Sequence, residues 1–545
     1  MTAPTDVPVS DSEFVPVSYR RAKLDERYDA IVIGSGIGGL TAAVLLAKHA
    51  GQKVLVLERH YTAGGLTHAF TRPHFEWDVG VHYVGQVNDA RSATAMMVHH
   101  VTEGRLQWAP MPDVYDCVVL GDRRYDFPTG RERFRAQMHG YFPRDTRAID
   151  QYLKAMTRCT MQMGFFYAER FVPPWLATVA GPLMRGIYLR RAGRTTASVL
   201  NDFTTNRELI GVLTGQWGDY GLTPGQSSFA IHAILARHYL DGAAYPVGGA
   251  SAILAAMAPT ITAAGGTIVV RAEVDSVVVE DGAAVGVRMA DGIVIRAPVV
   301  ISNAGASNTY SRLVREKSDA LDHMRRDLGT LEPSPGHLCL YIGLEGSAED
   351  LQLSATNRWV CPSEDHDGNI RRFFADPEAD FPVLYFSFPS AKDPSFATRL
   401  PGHSTIDLIT YAPYEWFTRW EGTRWRKRGV DYDEFKQRLE ARLLEGLYRE
   451  VPAARGRVVL TELSTPLTTR HFTNYARGEI YGIAHTPDRF RSRALVPRTP
   501  VRGLYMTGQD AAVCGVVGAM SGGVCAVSAI LRRNMFLKVA GRKPS

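Results

Sequence analysis

Six residues near the start of the chain, Gly34-Ser35-Gly36-Ile37-Gly38-Gly39, have the composition of a loop that cradles an anion through its backbone amides. Tyr28–Ile33 before them is rich in β-formers, and Leu40–Lys48 after them reads as helix. In that order, Gly34 permits the tight turn, Gly36 lets the backbone approach a pyrophosphate, and Gly39, beside Gly38, lets the helix close on the strand. A second strand, Lys53–Leu57, ends in Glu58, where a carboxylate accepts hydrogen bonds from a ribose. Glu58 favours a free 2′-hydroxyl over a 2′-phosphate, although Arg59 beside it weakens the distinction. A glycine turn alone also opens many helices that bind nothing. The strand, helix, second strand and acid together point to a dinucleotide without separating FAD from NAD.

The elements around this turn narrow the reading. One short loop beyond Glu58 comes a second glycine pair, Gly64-Gly65, followed by Leu66-Thr67-His68-Ala69-Phe70 and then by Phe75-Glu76-Trp77-Asp78-Val79-Gly80-Val81-His82-Tyr83-Val84-Gly85. Here the sequence resembles the phytoene desaturase, carotenoid isomerase and retinol saturase group of FAD enzymes, and the second stretch is most similar to the retinol saturases. Two later segments extend the resemblance: Tyr245-Pro246-Val247-Gly248-Gly249 with the strands from Thr267 to Ser302, and Gly503–Asp510 with a helix over Val516–Leu531. The resemblance implies an α/β fold in which a Rossmann-type FAD-binding domain of the glutathione-reductase-like kind is interleaved with a mixed α+β substrate domain. The expected division is an N-terminal arm (1–27), an FAD-binding domain (28–99, 239–310, 456–545) and a substrate domain (100–238, 311–455). It also implies that the Val274 backbone meets the adenine, that Asp510, after Gly508, bonds the ribityl chain, and that the helix from Val516 points its amides at the pyrimidine end of the flavin ring.

The intervening stretches carry the aromatic and methionine residues expected around a long apolar substrate, a polyene lipid by resemblance. Gln216–Gly221 and Phe229–Tyr239 resemble bacterial retinol-saturase-like proteins, and Trp217, Tyr220, His232, His238 and Tyr239 are expected either at the substrate or in the core. Gly478-Glu479-Ile480-Tyr481-Gly482 resembles the glycine-bracketed segment that precedes the last flavin motif. Asp78, His82 and Tyr83 are the candidate proton donors or relays, structural roles being the alternative for each. Delivery of hydride through flavin N5 with protonation of the neighbouring carbon saturates an alkene; the reverse desaturates, and transient reduction isomerises. No second strand-borne glycine turn follows, so the electron donor, NAD(P)H or another, is left open. A prenyl-lipid carrier of the Rab GDP-dissociation-inhibitor type and an amine oxidase are the competing readings, but a carrier has no need of the full glycine and acid set.

Composition sets the outer bounds. At 545 residues the chain exceeds what one core organises, and a charge of +6 from 62 basic and 56 acidic residues is no nucleic-acid footprint. The six cysteines are scattered, which suggests neither a metal site nor a disulfide framework and fits a reducing cytoplasm. No signal peptide is read in 1–27, and His99-His100 is expected at the surface. Met161–Leu189 is the most apolar stretch but is broken by Pro173, Pro174 and Pro182 and interrupted by Arg170 and Arg185. With Arg190, Arg191 and Arg194 behind it, this 161–194 region suits either a helical hairpin in the core or peripheral contact with a membrane. The uncharged run Cys514–Leu531 is expected to be a buried helix, with Cys514 a structural thiol, rather than a membrane span.

Overall fold

The computed structural model describes residues 14–168 and 174–541. Strand β1 (Ala30–Ile33), helix α1 (Ile37–Ala50) and strand β2 (Val54–Leu57) follow one another as the sequence predicts. All four residues of each strand are buried, because a parallel strand is covered on both faces. Alternate residues of β1 enter different cores: Ala30 and Val32 pack toward Leu40 and Val44 of α1, Ile31 and Ile33 toward Val287 and Ile295. β3 (Thr267–Val270), β4 (Val299–Ser302) and β5 (Leu504–Met506) complete a parallel sheet in the order Val17–Ser18, β3, β2, β1, β4, β5. Helix α2 (Val516–Leu531) lies beside α1 in one of these cores, and an antiparallel meander (Val274–Glu280, Ala283–Met289, Val294–Arg296) lies in the other.

A seven-stranded sheet forms the second half of the molecule, in the order 458–464, 336–345, 403–412, 384–387, 357–361, 114–120, 123–128. Its pairings are antiparallel except between 357–361 and 114–120. The amphipathic helix Val430–Glu450 covers it through Phe435, Leu439 and Leu443. A cluster of helices between Arg131 and Leu240 packs on the same side as Val118 and Tyr385.

Three expectations need correction. The segment assigned to an N-terminal arm is in part built into the fold, since Val17–Ser18 extends the parallel sheet beside β3. Val458–Ser464, assigned above to the FAD-binding segment 456–545, is instead an edge strand of the seven-stranded sheet, paired to Cys339–Leu344. Its alternation of Leu and polar residues suits either sheet, and only the partner decides. His100 is buried rather than superficial, its ring stacked on His49 with centroids 5.1 Å apart. The apolar stretch forms two helices, Thr146–Ala168 and Pro174–Ala192, packed as a hairpin; Arg170 and Pro173 lie outside the described residues. Among the described residues no helix is long and apolar enough to cross a membrane.

Candidate active site

One cavity of about 810 Å³ runs between the two sheets. Of the residues expected at a cofactor, Gly34, Gly36, Gly38, Glu58, Arg59, Gly65, Leu66, Val274, Gly508, Asp510 and Val516 line it. Gly39 and Gly64 do not. Gly39 instead brings α1 against the Gly34 carbonyl, and Gly64 donates its N–H to Ser35 Oγ at 3.0 Å. Serine in the glycine turn thereby ties three motifs together: Glu58 Oε2 accepts from Ser35 N at 2.8 Å and from Ser35 Oγ at 2.7 Å, while Glu58 Oε1 accepts from His60 N at 2.8 Å.

Small residues are required where backbones meet. A Cβ on Gly38 would stand 2.5 Å from Gly508 Cα and 2.8 Å from the Ala519 carbonyl, and a Cβ on Gly65 would stand 2.7 Å from Gly36 Cα. The amino ends of α1 and α2, marked by Ile37 and Val516, therefore converge on the same cavity, each presenting unpaired amides. Asn303, which the sequence did not single out, lines the cavity between the turns at Gly36 and Gly508.

Asp510 is buried and fixed from three sides. It accepts from Ala306 N at 2.8 Å and Ile483 N at 3.0 Å, with Arg489 3.5 Å away. The glycine-bracketed segment explains itself here, because Gly482 faces the Asp510 carboxylate and leaves no room for a side chain. Arg59 donates to the carbonyls of His471 and Phe472 and so closes the cavity rim near Glu58.

The far end is aromatic: Tyr341, Trp359, Tyr385, Tyr411 and Tyr481 line it with Val383 and Ile409. Tyr411 and Tyr481 both donate to the Gly218 carbonyl, which carries the neighbouring Asp219 to the cavity wall. His82 is also on the wall, with Nδ1 3.4 Å from the buried carboxylate of Asp407. His337 Nδ1, His82 Nδ1 and the Tyr385 hydroxyl have no hydrogen-bond partner among the described residues. Burial lowers His337 to about 4, so its imidazole is neutral.

The expected proton donors do not come together. Asp78 lies off the cavity, accepting from the Tyr245 hydroxyl and from Ala250 N at 2.9 Å, and burial raises it to about 7. Tyr83 lies one layer behind the wall, its hydroxyl 2.8 Å from Asp219 Oδ2 and 2.9 Å from Asp116 Oδ2. Burial, aided by the nearby Asp116 charge, raises Asp219 to about 8. The aromatic and histidine candidates around Asp219 take the core alternative: Tyr239 stacks on Tyr83 at 4.0 Å, Trp217 stacks on Tyr411, Tyr220 and Tyr152 hydrogen-bond His232, and His238 Nε2 accepts from Gly85 N. Cys514 is buried and its thiol is pushed up to about 12, as a structural role requires.

Two helix amino ends, backbone surfaces bare of side chains, and unpartnered polar atoms along one wall suit a dinucleotide whose far end meets an apolar ligand. Comparison with known proteins agrees. The profile of the flavin containing amine oxidoreductase family matches residues 37–531. The chain is 35% identical to an all-trans-retinol 13,14-reductase of Danio rerio, covering 95% of this chain and 88% of that one. It is 27% identical to a chloroplastic prolycopene isomerase of Daucus carota, over 92% and 79%. Among solved structures, wild-type putrescine oxidase bound to putrescine superposes with a TM-score of 0.61 at 14% identity, covering 93% of this chain and 99% of that one, a likeness of fold alone. The chain belongs to the flavin-containing amine oxidoreductase family and is an FAD-dependent oxidoreductase of its retinol saturase and carotenoid isomerase group.

Proposed function

We propose that this protein saturates one carbon–carbon double bond of a retinoid or a related apolar polyene. The observation that carries this reading is the single cavity that joins the glycine-lined cradle to an aromatic chamber. Similarity to the retinol reductases over nearly the whole chain supports the same substrate class. We read the parallel sheet, its two convergent helices and the meander as a Rossmann-type domain of the glutathione-reductase-like kind.

In that reading the amides at Ile37 and Val516 and the backbone of Gly34, Gly36 and Gly65 hold FAD at its phosphates and ring, Glu58 at a ribose, Val274 at the adenine and Asp510 at the ribityl chain. Bound FAD supplies the electron pair that reduces the alkene. The protein's own part is to orient a flexible apolar chain and exclude water from the reacting carbons. Tyr341, Trp359, Tyr385 and Tyr411 offer flat, weakly polar surfaces suited to a conjugated chain. A carrier of prenyl lipids would have no use for the complete cradle of Gly34, Gly36, Glu58, Gly65 and Asp510.

The helical hairpin supplies a second element of this proposal, contact with an anionic lipid surface from which the substrate enters. Met161 (70% exposed) and Leu183 (69% exposed) project from it, with Arg190 exposed behind them. The six cysteines are all buried and none is joined in a disulfide, which accords with a reducing cytoplasm.

The test is an anaerobic titration of the photoreduced flavoprotein with all-trans-retinol, followed by chromatography of the extracted lipid. Flavin reoxidation with a product two hydrogens richer is expected. An isomer with the flavin still reduced would replace saturation by isomerisation, and purified protein without flavin would refute both.

A further inference from the structure

Saturation of an alkene needs a proton as well as an electron pair, and the inference here rests on the function proposed above. We propose that Asp219 is the catalytic acid, kept protonated in the resting protein by Asp116 through the hydroxyl of Tyr83, which acts as a rotor between the two carboxyl groups.

Counting hydrogens at Asp116 makes the assignment. Asp116 Oδ1 accepts from Asn357 Nδ2 at 2.8 Å, and Oδ2 accepts from Gln216 Nε2 at 2.5 Å, Trp359 Nε1 at 3.2 Å and Tyr83 Oη at 2.9 Å. Four donors converge on Asp116, three of them on Oδ2, and together they stabilise it as the ionised member. Tyr83 has one hydrogen, and Asp116 takes it. The 2.8 Å contact between Tyr83 Oη and Asp219 Oδ2 then needs its hydrogen from Asp219, which must be the neutral acid.

The surroundings enforce the same state. Lys392 is buried and donates to Asn357 Oδ1 at 2.5 Å, to Ser387 Oγ at 2.8 Å and to the His82 carbonyl at 2.9 Å. The Asn357 amide thus stands between the Lys392 amine, which burial lowers to about 7, and the Asp116 carboxylate, to which its Nδ2 donates. Tyr239 and Tyr385 also face Asp219, and burial holds both hydroxyls far above their ordinary range. The hydroxyls of Tyr411 and Tyr481 and the thiol of Cys514 are neutral for the same reason. Asp116 and Lys392 are therefore the two groups whose charge acts on Asp219.

Asp219 is on the cavity wall, with Oδ2 held against Tyr83. It also stands at the junction of the two chambers, its carbonyl 3.9 Å from Cys514 Sγ at the entry to α2 and its neighbour Gly218 bonded to the aromatic end. In the step, the Asp219 carboxyl first turns its O–H from Tyr83 into the cavity; that O–H bond then breaks and the proton forms a C–H bond with the π electron pair at one alkene carbon. The adjacent carbon receives a hydrogen with its electron pair from reduced FAD, so the alkene is reduced and the flavin oxidised. Asp219 becomes a carboxylate, and the Tyr83 hydrogen swings from Asp116 to Asp219 Oδ2 to stabilise it. Water reprotonates Asp219 after the product leaves.

The experiment compares FAD-loaded wild type, Asp219→Asn, Asp219→Glu, Asp116→Asn and His82→Gln. Flavin content and quenching of retinol fluorescence confirm folding and binding in each. Infrared spectra of wild type should show a protonated carboxylic acid at pH 7 that titrates near 8 and is missing from Asp219→Asn. Reoxidation of the photoreduced flavin by retinol should slow at least ~100-fold in Asp219→Asn and recover in part in Asp219→Glu. In Asp116→Asn the alkaline limb of the rate should move to lower pH, because a negative neighbour has been removed. The proposal fails if wild type lacks that acid band, or if Asp219→Asn keeps the wild-type rate while His82→Gln loses it. Failure of the substrate reading is separate: it shows as wild-type flavin that retinol does not reoxidise, and the infrared band still decides whether Asp219 holds the proton.

Discussion

Asp78, which is buried, and Asp219, which is half-buried on the cavity wall, are both acids raised far above the ordinary carboxylate range, yet they differ in what they face. Asp78 is enclosed by Tyr245 and Ala250 and anchors the turn before the helix Ser251–Ala263. The folded chain binds a proton at Asp78 that the unfolded chain has already released above about pH 4. That stabilisation is complete below about 4 and is lost as pH rises through about 7. Urea unfolding of wild type and Asp78→Asn across this window should therefore show a slope in wild type that the variant lacks, with saturation activity largely retained. A catalytic acid at Asp78 would instead lose turnover on substitution. Gly38→Ala is the second prediction at this scale: its methyl meets only backbone, which cannot yield cheaply, so a loss of about 1–3 kcal/mol and of bound flavin is expected on thermal melting and gel filtration. Gly140→Ala, on an open helical surface, should gain about 0.5–1 kcal/mol in the same assay.

Among the elements, α2 was the most legible and the most constrained. Its range, Val516–Leu531, is the one expected from the sequence, because an uncharged, glycine-rich run between a strand and a basic pair has few other fates. Gly522 packs on the Gly508 carbonyl and Gly523 on the Gly38 carbonyl, which fixes where the amino end points. A negative charge placed there should oppose the charge of the reduced ring, so Val516→Asp is expected to shift the flavin midpoint potential to more negative values in a dye-linked reductive titration. The strands of the second sheet were less legible. Asp116 in VYDCVVL and Asp407 in STIDLIT are single acids inside apolar strands, a local signal that something must satisfy them. What satisfies Asp116 arrives from Tyr83, Gln216, Trp359 and Asn357, and no spacing in the sequence relates them. Asp219 lies in the stretch Gln216–Gly221 beside Trp217 and Tyr220, and burial and cavity-lining are indistinguishable there without the fold.

At the scale of the whole molecule, the nucleotide half and the aromatic half share one cavity although neither is continuous in sequence. The glycine motifs revealed the first half because they act over a few residues. The second half depends on pairings such as Asn357–Cys361 with Asp116–Leu120, more than two hundred residues apart, and these no periodicity encodes. The hairpin makes the prediction that belongs here: anionic vesicles should co-sediment the protein, and Leu183→Ser with Arg190→Glu should weaken that binding several-fold while leaving flavin content unchanged.

β5 is the edge strand of the parallel sheet, yet it is supplied by residues 504–506 and paired to β4 some two hundred residues earlier. On a ribosome, α1 would emerge with its Gly38 surface uncovered, and the chain would wait through more than four hundred further residues for Gly508 and α2. Flavin loading thus waits for α2: nascent chains arrested before Leu504 should retain no FAD, and until then the growing chain is a client for whatever shields apolar helices in the cell.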